Sequence, residues 1–183
     1  MTGPLLRRPA VAFAAALLLA LLAALTQGLT YYRDRTPAEP VLAGVGQTVE
    51  LDGTRQQVRS FSVAATLPNE DSSEPPVHGP PGSRMVLVVW THQVVDPAIK
   101  LDEHSCDTSL VADDGTIWHE DGDFSYSVAR PRALTCGDTD DSPLLLGRDR
   151  EIGSSYVIPA RYADRIQWQL ELDSGHQVLR VHR

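Results

Sequence analysis

Apolar and polar residues divide this chain into an uncharged N-terminal block and a longer region where they alternate in short runs. Ala10 to Leu29 carries no charge, and its 20 residues would form a helix of about 30 Å, the thickness of a bilayer's hydrocarbon core. Beyond it, Gln47 to Asp52 and Gln57 to Leu67 alternate, with Val49 and Leu51 in the first and Val58, Phe61, Val63 and Ala65 in the second. Period two predicts half-buried strands. Met85 to Trp90 is continuously apolar and β-prone between Pro81 and Pro97, which predicts a central strand buried on both faces.

Thr108 to Ala112 and Thr116 to His119 flank Asp113-Asp114-Gly115, a hairpin signal that sends Trp118 toward the core. Ser154 to Ile158 ends at Pro159, Ile166 to Leu172 alternates without a fault, and Asp173-Ser174-Gly175 turns the chain into a last strand, Gln177 to Val181. Between Leu67 and Arg84, the proline- and glycine-rich run (Pro68, Pro75, Pro76, Gly79, Pro80, Pro81, Gly82) predicts a long exposed loop. Seven to nine short strands, with no 3.6-residue period after the first block, predict an all-β antiparallel sandwich with Greek-key connections.

The resulting organisation is a short cytoplasmic N-terminus (1–9), a transmembrane signal anchor (10–30), a linker (31–43) and an extracytoplasmic sandwich (44–183). Arg7 and Arg8 precede the apolar block, while Tyr31, Tyr32 and the partly neutralised Arg33-Asp34-Arg35 follow it, which orients the N-terminus inside. A cleavable signal peptide is the alternative, with Ala24-Leu25-Thr26 or Thr26-Gln27-Gly28 as the cleavage site. Either way the sandwich is exported.

Composition sharpens this picture in two places. The chain carries −8 overall, and from Thr36 onward 12 basic residues face 23 acidic ones, a surface that repels phosphate backbones and excludes nucleic acid as a partner. Cys106 and Cys136 are the only cysteines, and in an exported domain an even pair predicts a disulfide.

The order of features, with Gly44 to Val49 at the start, the Met85 to Val95 strand, Leu110 to Trp118, and Gly153 to Ala160 before the Ile166 strand, resembles a family of uncharacterised immunoglobulin-like domains that Gram-positive bacteria export behind a signal anchor or lipobox. The resemblance spans Gly44 to about Leu172 and implies an immunoglobulin-like sandwich without implying a ligand. The chain departs from that pattern at Asp96-Pro97 and in its proline-rich loop.

Candidate chemistry is sparse. Asp121, Asp123, Asp138, Asp140 and Asp141 have the hard oxygen ligands that Ca²⁺ requires, but not the spacing of an EF-hand loop. The histidines, His78, His92, His104, His119, His176 and His182, are dispersed without a close pair of known metal-binding signature, and His104-Ser105-Cys106 has no second Cys/His pair to complete it. No Gly-x-Ser-x-Gly turn occurs. These observations predict no catalytic residues, no resident metal and no cofactor. The expected role is a membrane-anchored binding or accessory module that contacts an envelope protein or cell-wall ligand without catalysis. The alternatives are a Ca²⁺-responsive sensor and an extracytoplasmic hydrolase of unrecognised type.

Overall fold

A computed structural model describes residues 18–19, 21–26, 39–120, 127–131, 133, 135–139, 143–172 and 177–183. The chain divides into two units, Met1–Pro37 and Ala38–Arg183. In the first, residues 18–19 and 21–26 are helical, and the rest of the 10–30 segment lies outside the described residues. Among the described residues no helix is long and apolar enough to cross a membrane.

The second unit is a β-sandwich with eleven strands among the described residues. They are β1 (Val41–Gly44), β2 (Thr48–Leu51), β3 (Thr54–Ala64), β4 (Thr66–Leu67), β5 (Val77–His78), β6 (Ser83–Val94), β7 (Cys106–Ala112), β8 (Ile117–His119), β9 (Arg150–Pro159), β10 (Ile166–Leu172) and β11 (Val178–His182). One sheet has the order β1-β11-β10-β7-β8, the other β2-β3-β6-β9, and β4 and β5 form a separate ribbon. All pairings are antiparallel except β1 with β11.

β10 shows how the sequence specifies its face. Ile166, Trp168, Leu170 and Leu172 are buried, with Gln167, Gln169 and Glu171 between them. The register sets Trp168 opposite Leu110 of β7 and Val181 of β11, so three strands present apolar side chains on one face. β3 is less direct, because Val58 and Phe61 are three apart and strict alternation would turn one of them outward. A bulge between Val58 and Ser60 absorbs the extra residue, so both Phe61 and Val58 reach the core. The β2–β3 hairpin turns on Asp52-Gly53, both at positive φ (45° and 72°), the backbone a two-residue hairpin needs.

Several expectations change. β6 is buried on one face rather than two: Val86, Val88, Trp90, His92 and Val94 are fully inside, whereas Leu87, Val89, Thr91 and Gln93 are half-buried. Its outer face is covered at one end only, where Met85 and Leu87 pack with Leu67, Val77 and Val128. That cover comes from the run expected to be wholly loop, since Val77–His78 pairs with Thr66–Leu67. The prolines on either side of Val77 hold this pairing to two residues a strand. The sandwich also begins inside the expected linker, because Val41–Gly44 finds backbone partners along β11. Trp118 sits half-buried at the rim, against Tyr162 with ring centroids 4.9 Å apart. The Asp173-Ser174-Gly175 turn lies outside the described residues.

Candidate functional site

Inward-facing rows of the second sheet run from wholly apolar in the middle to polar at one end. Register places Val58, Trp90 and Ile152 side by side, and the next row toward that end is Gln56, His92 and Arg150. All three are buried, His92 with no exposed surface. A histidine at this inward position of β6 has Trp90 at one side, ring centroids 6.1 Å apart.

The second histidine arrives from another element. His104 lies two residues before β7 and is half-buried. Its Nε2 is 3.0 Å from Nε2 of His92, and the rings stack with centroids 5.0 Å apart and planes 19° from parallel. Gln56 Nε2 donates to Thr54 Oγ1 at 2.9 Å and lies 2.7 Å from His92 Nδ1, closer than Gln56 Oε1 at 3.1 Å. This network assigns Nδ1 of His92 as an acceptor and its Nε2–H as the donor to His104. Burial, then the electrostatic cost of a second positive charge beside His104 and Arg150, pushes the His92 pKa down to about 3, so the ring is neutral.

Cys106, the first residue of β7, is bonded to Cys136, as expected from the sequence. Cys136 is fully buried, whereas Cys106 is half-buried. Arg150 fastens the same loop by donating to the carbonyl oxygens of Thr135, at 3.2 Å, and Gly137. Burial lowers the Arg150 pKa, and nearby Asp138 raises it. Gly137 is required for close approach, since a Cβ there would come within 2.7 Å of the His104 carbonyl oxygen. The outcome is a compact group: ligand atoms of His92, His104 and Cys136 all lie within 4.8 Å of one another.

Beside this group a pocket of about 300 Å³ opens between Cys106, Thr108, His119, Glu120, Thr135 and Ser154. In its wall, Glu120 accepts from Arg130 at 2.6 Å, the arginine buried and the glutamate partly so. Ser154 Oγ lies 3.4 Å from Trp90 Nε1 and 3.3 Å from Thr108 Oγ1. Tyr156 accepts from Trp168 Nε1 at 3.2 Å, and burial raises its pKa.

The sequence set the histidines aside as dispersed, yet two of them, twelve residues apart, meet in space. The usable signal was His92 continuing the inward series of Val86, Val88 and Trp90. Nothing in the sequence announced His104 as its partner. Of the acidic candidates, Asp138 is exposed and its Oδ1 accepts the backbone N–H of Leu144 at 2.6 Å. Asp121, Asp123, Asp140 and Asp141 lie outside the described residues, as does His176.

No protein-family model matches the chain, and no curated protein matches it. A conserved hypothetical protein from Bacillus anthracis is similar in structure, with a TM-score of 0.51 and 14% identity over 72% of this chain and 89% of its own. An uncharacterised β-sandwich protein from Clostridium difficile 630 gives a TM-score of 0.48 and 8% identity over 80% and 97%. The chain has the β-sandwich fold. Its structural neighbours are uncharacterised proteins of Gram-positive bacteria, and at these identities the likeness extends to the fold alone.

Proposed function

We propose that the chain is a binding or accessory module, anchored by residues 10–30 with its immunoglobulin-like sandwich outside the cytoplasmic membrane, which works through contacts with an envelope protein and not through catalysis. The carrying observation is the loop after the disulfide: Leu145 and Leu146 are 47% and 48% exposed, beside a groove of about 380 Å³ lined by Pro131, Ala133, Pro143, Leu144 and Arg148. Adjacent exposed leucines on a loop flanked by proline and arginine are suited to contact with another protein. Support for the anchor comes from the uncharged run and from Leu18, Leu19, Leu21, Leu22 and Leu25, each more than half exposed in the helical residues, a surface suited to lipid.

The test is membrane-impermeant crosslinking of the full-length chain in its own cells, compared with a Leu145→Ser/Leu146→Ser variant that is equally abundant and equally stable. The expected result is an envelope protein captured reproducibly by the parent chain and lost from the variant. Capture unchanged in the variant would reject this surface, and failure of the reagent to label the sandwich in intact cells would reject the location.

A further inference from the structure

We propose that His92, His104, Cys136 and Cys106 form a binding site for a thiophilic d¹⁰ cation, of the zinc or copper(I) class, which opens when the disulfide is reduced by thiol exchange. This goes beyond the contact role of the Leu145 loop and is independent of it.

The geometry points to this chemistry in three ways. Two imidazole nitrogens and one sulfur already lie within 4.8 Å of one another, and Cys106 is covalently next to that sulfur. Tetrahedral coordination of zinc by two thiolates and two imidazoles needs ligand atoms about 3.3–3.8 Å apart, so the His92, His104 and Cys136 atoms need close in only modestly, and the two sulfurs must part once their bond is open. The His92 nitrogen facing His104 is Nε2, while Nδ1 is held by Gln56, itself fixed by Thr54. Binding through Nε2 moves the ring proton to Nδ1, and Gln56 Oε1, 3.1 Å away, is placed to accept from it, the outer hydrogen bond that orients a metal-binding imidazole. Finally, Arg150 stands in the same row as His92 and binds the loop that carries Cys136. A guanidinium at this place favours thiolate over thiol.

The two sulfurs are unequal in a way that sets the order of events. Cys106 lines the pocket and is half-buried, whereas Cys136 is sealed. A thiolate of an external dithiol attacks Cys106 Sγ. The Cys106–Cys136 bond breaks, a mixed disulfide forms at Cys106, and Cys136 leaves as a thiolate beside the two imidazoles. The second thiol of the reagent then attacks its own sulfur in the mixed disulfide and releases Cys106 as a thiolate. The protein has gained two electrons, the dithiol has become a cyclic disulfide, and its two protons pass to the cysteines or to solvent. Binding of the cation to the two thiolates and two imidazoles displaces any protons held on the sulfurs.

The experiment uses the full-length chain in detergent micelles, reduced anaerobically with a dithiol, freed of reagent, and titrated with Zn²⁺ against a chromophoric chelator. Co²⁺ serves as a spectroscopic probe of sulfur ligation. The expected result is one tight equivalent of Zn²⁺, bound about 100-fold or more tighter than by the oxidised chain, with a sulfur-to-cobalt charge-transfer band and a raised Tm. His104→Gln, whose amide oxygen can still accept from His92, should weaken Zn²⁺ binding about 10-fold or more while the oxidised form stays folded and unfolds cooperatively. Cys106→Ser, which leaves Cys136 as a thiol, should bind Zn²⁺ more tightly than the oxidised chain without any reductant. Equal Zn²⁺ affinity in reduced and oxidised chains would overturn the proposal. So would a reduced His104→Gln variant that binds as well as the parent, since two cysteines of a loosened chain would then account for the affinity.

Discussion

The middle of the sandwich and its His92 end are built by the same alternation, yet they are stabilised differently. In the middle, Trp90 and Trp168 pack with ring centroids 5.1 Å apart, among Val58, Val88, Leu110 and Ile152, all essentially without exposed surface. One row further along, the inward positions hold Gln56, His92 and Arg150, and each is hydrogen-bonded within the protein. Among the described residues no buried side-chain nitrogen or oxygen lacks a partner. The middle draws chiefly on apolar burial and close packing. The end depends on a specific network and a covalent bond, where losing one member leaves others unsatisfied.

The largest expected effect lies in the middle. Trp168→Ala removes the ring that Trp90 packs against and one of the hydrogen-bond partners of the Tyr156 hydroxyl, so equilibrium denaturation should show a loss of about 3–5 kcal/mol. Cys136→Ser tests the end. Opening the 30-residue loop should cost about 3–4 kcal/mol by the chain-entropy relation, while His119→Gln, at an exposed rim position, should cost less than about 0.5 kcal/mol. A Cys136→Ser variant as stable as its parent would mean that Arg150 and the packing around Gly137 hold the loop unaided.

These two regions also differ in how far the sequence discloses them. The middle was legible because burial writes itself as period two: Ile166 to Leu172 and the Asp113 to Gly115 hairpin lie where the pattern places them, and the Met85 run is an inner strand as expected, although only one of its faces is fully buried. The cysteine pairing was legible because only one partner exists. The end was not, because His92, His104 and Arg150 come from three separate elements whose meeting depends on register and on the Gly137 approach. Short apolar runs beside prolines misled in the other direction, since Val77–His78 pairs as strand although its flanks deny it length. The Phe61 phase error shows the same limit, as a bulge is visible only once both strands are aligned.

Acid should distinguish the regions more gently. His92 is held at about 3 in the fold against about 6.5 in an unfolded chain, so between these values the unfolded state binds the extra proton. Stability contributed by neutral His92 is therefore complete above pH 6.5 and is lost as pH falls. The groups facing its ring are His104, Arg150, Gln56 and Trp90, and none is a carboxylate that would offset an added charge. For the oxidised chain in the presence of chelator, unfolding free energies from urea titrations at pH 7 and pH 5 should differ by about 1–2 kcal/mol, and His92→Gln should reduce the difference. A pH-independent midpoint across this window would mean that His92 accepts a proton in place, with His104 or water relieving the charge.

The smallest effect is expected where charge meets solvent without a network. Glu50 and Arg55 face each other across the β2–β3 hairpin at 2.6 Å, with both side chains about half exposed or more. Such a pair is worth little, because water screens it and two long side chains must be ordered to form it. Arg55→Ala should change stability by less than about 0.5 kcal/mol, although its distance is as short as that between Arg130 and Glu120. Arg130→Ala should cost more, about 1–2 kcal/mol, because it removes a buried guanidinium from a partly buried Glu120 and a donor from the Gly153 carbonyl. If the two substitutions cost the same, shielding would not be what separates the interior of this sandwich from its surface, and the His92 network would lose its claim to be more than a set of short distances.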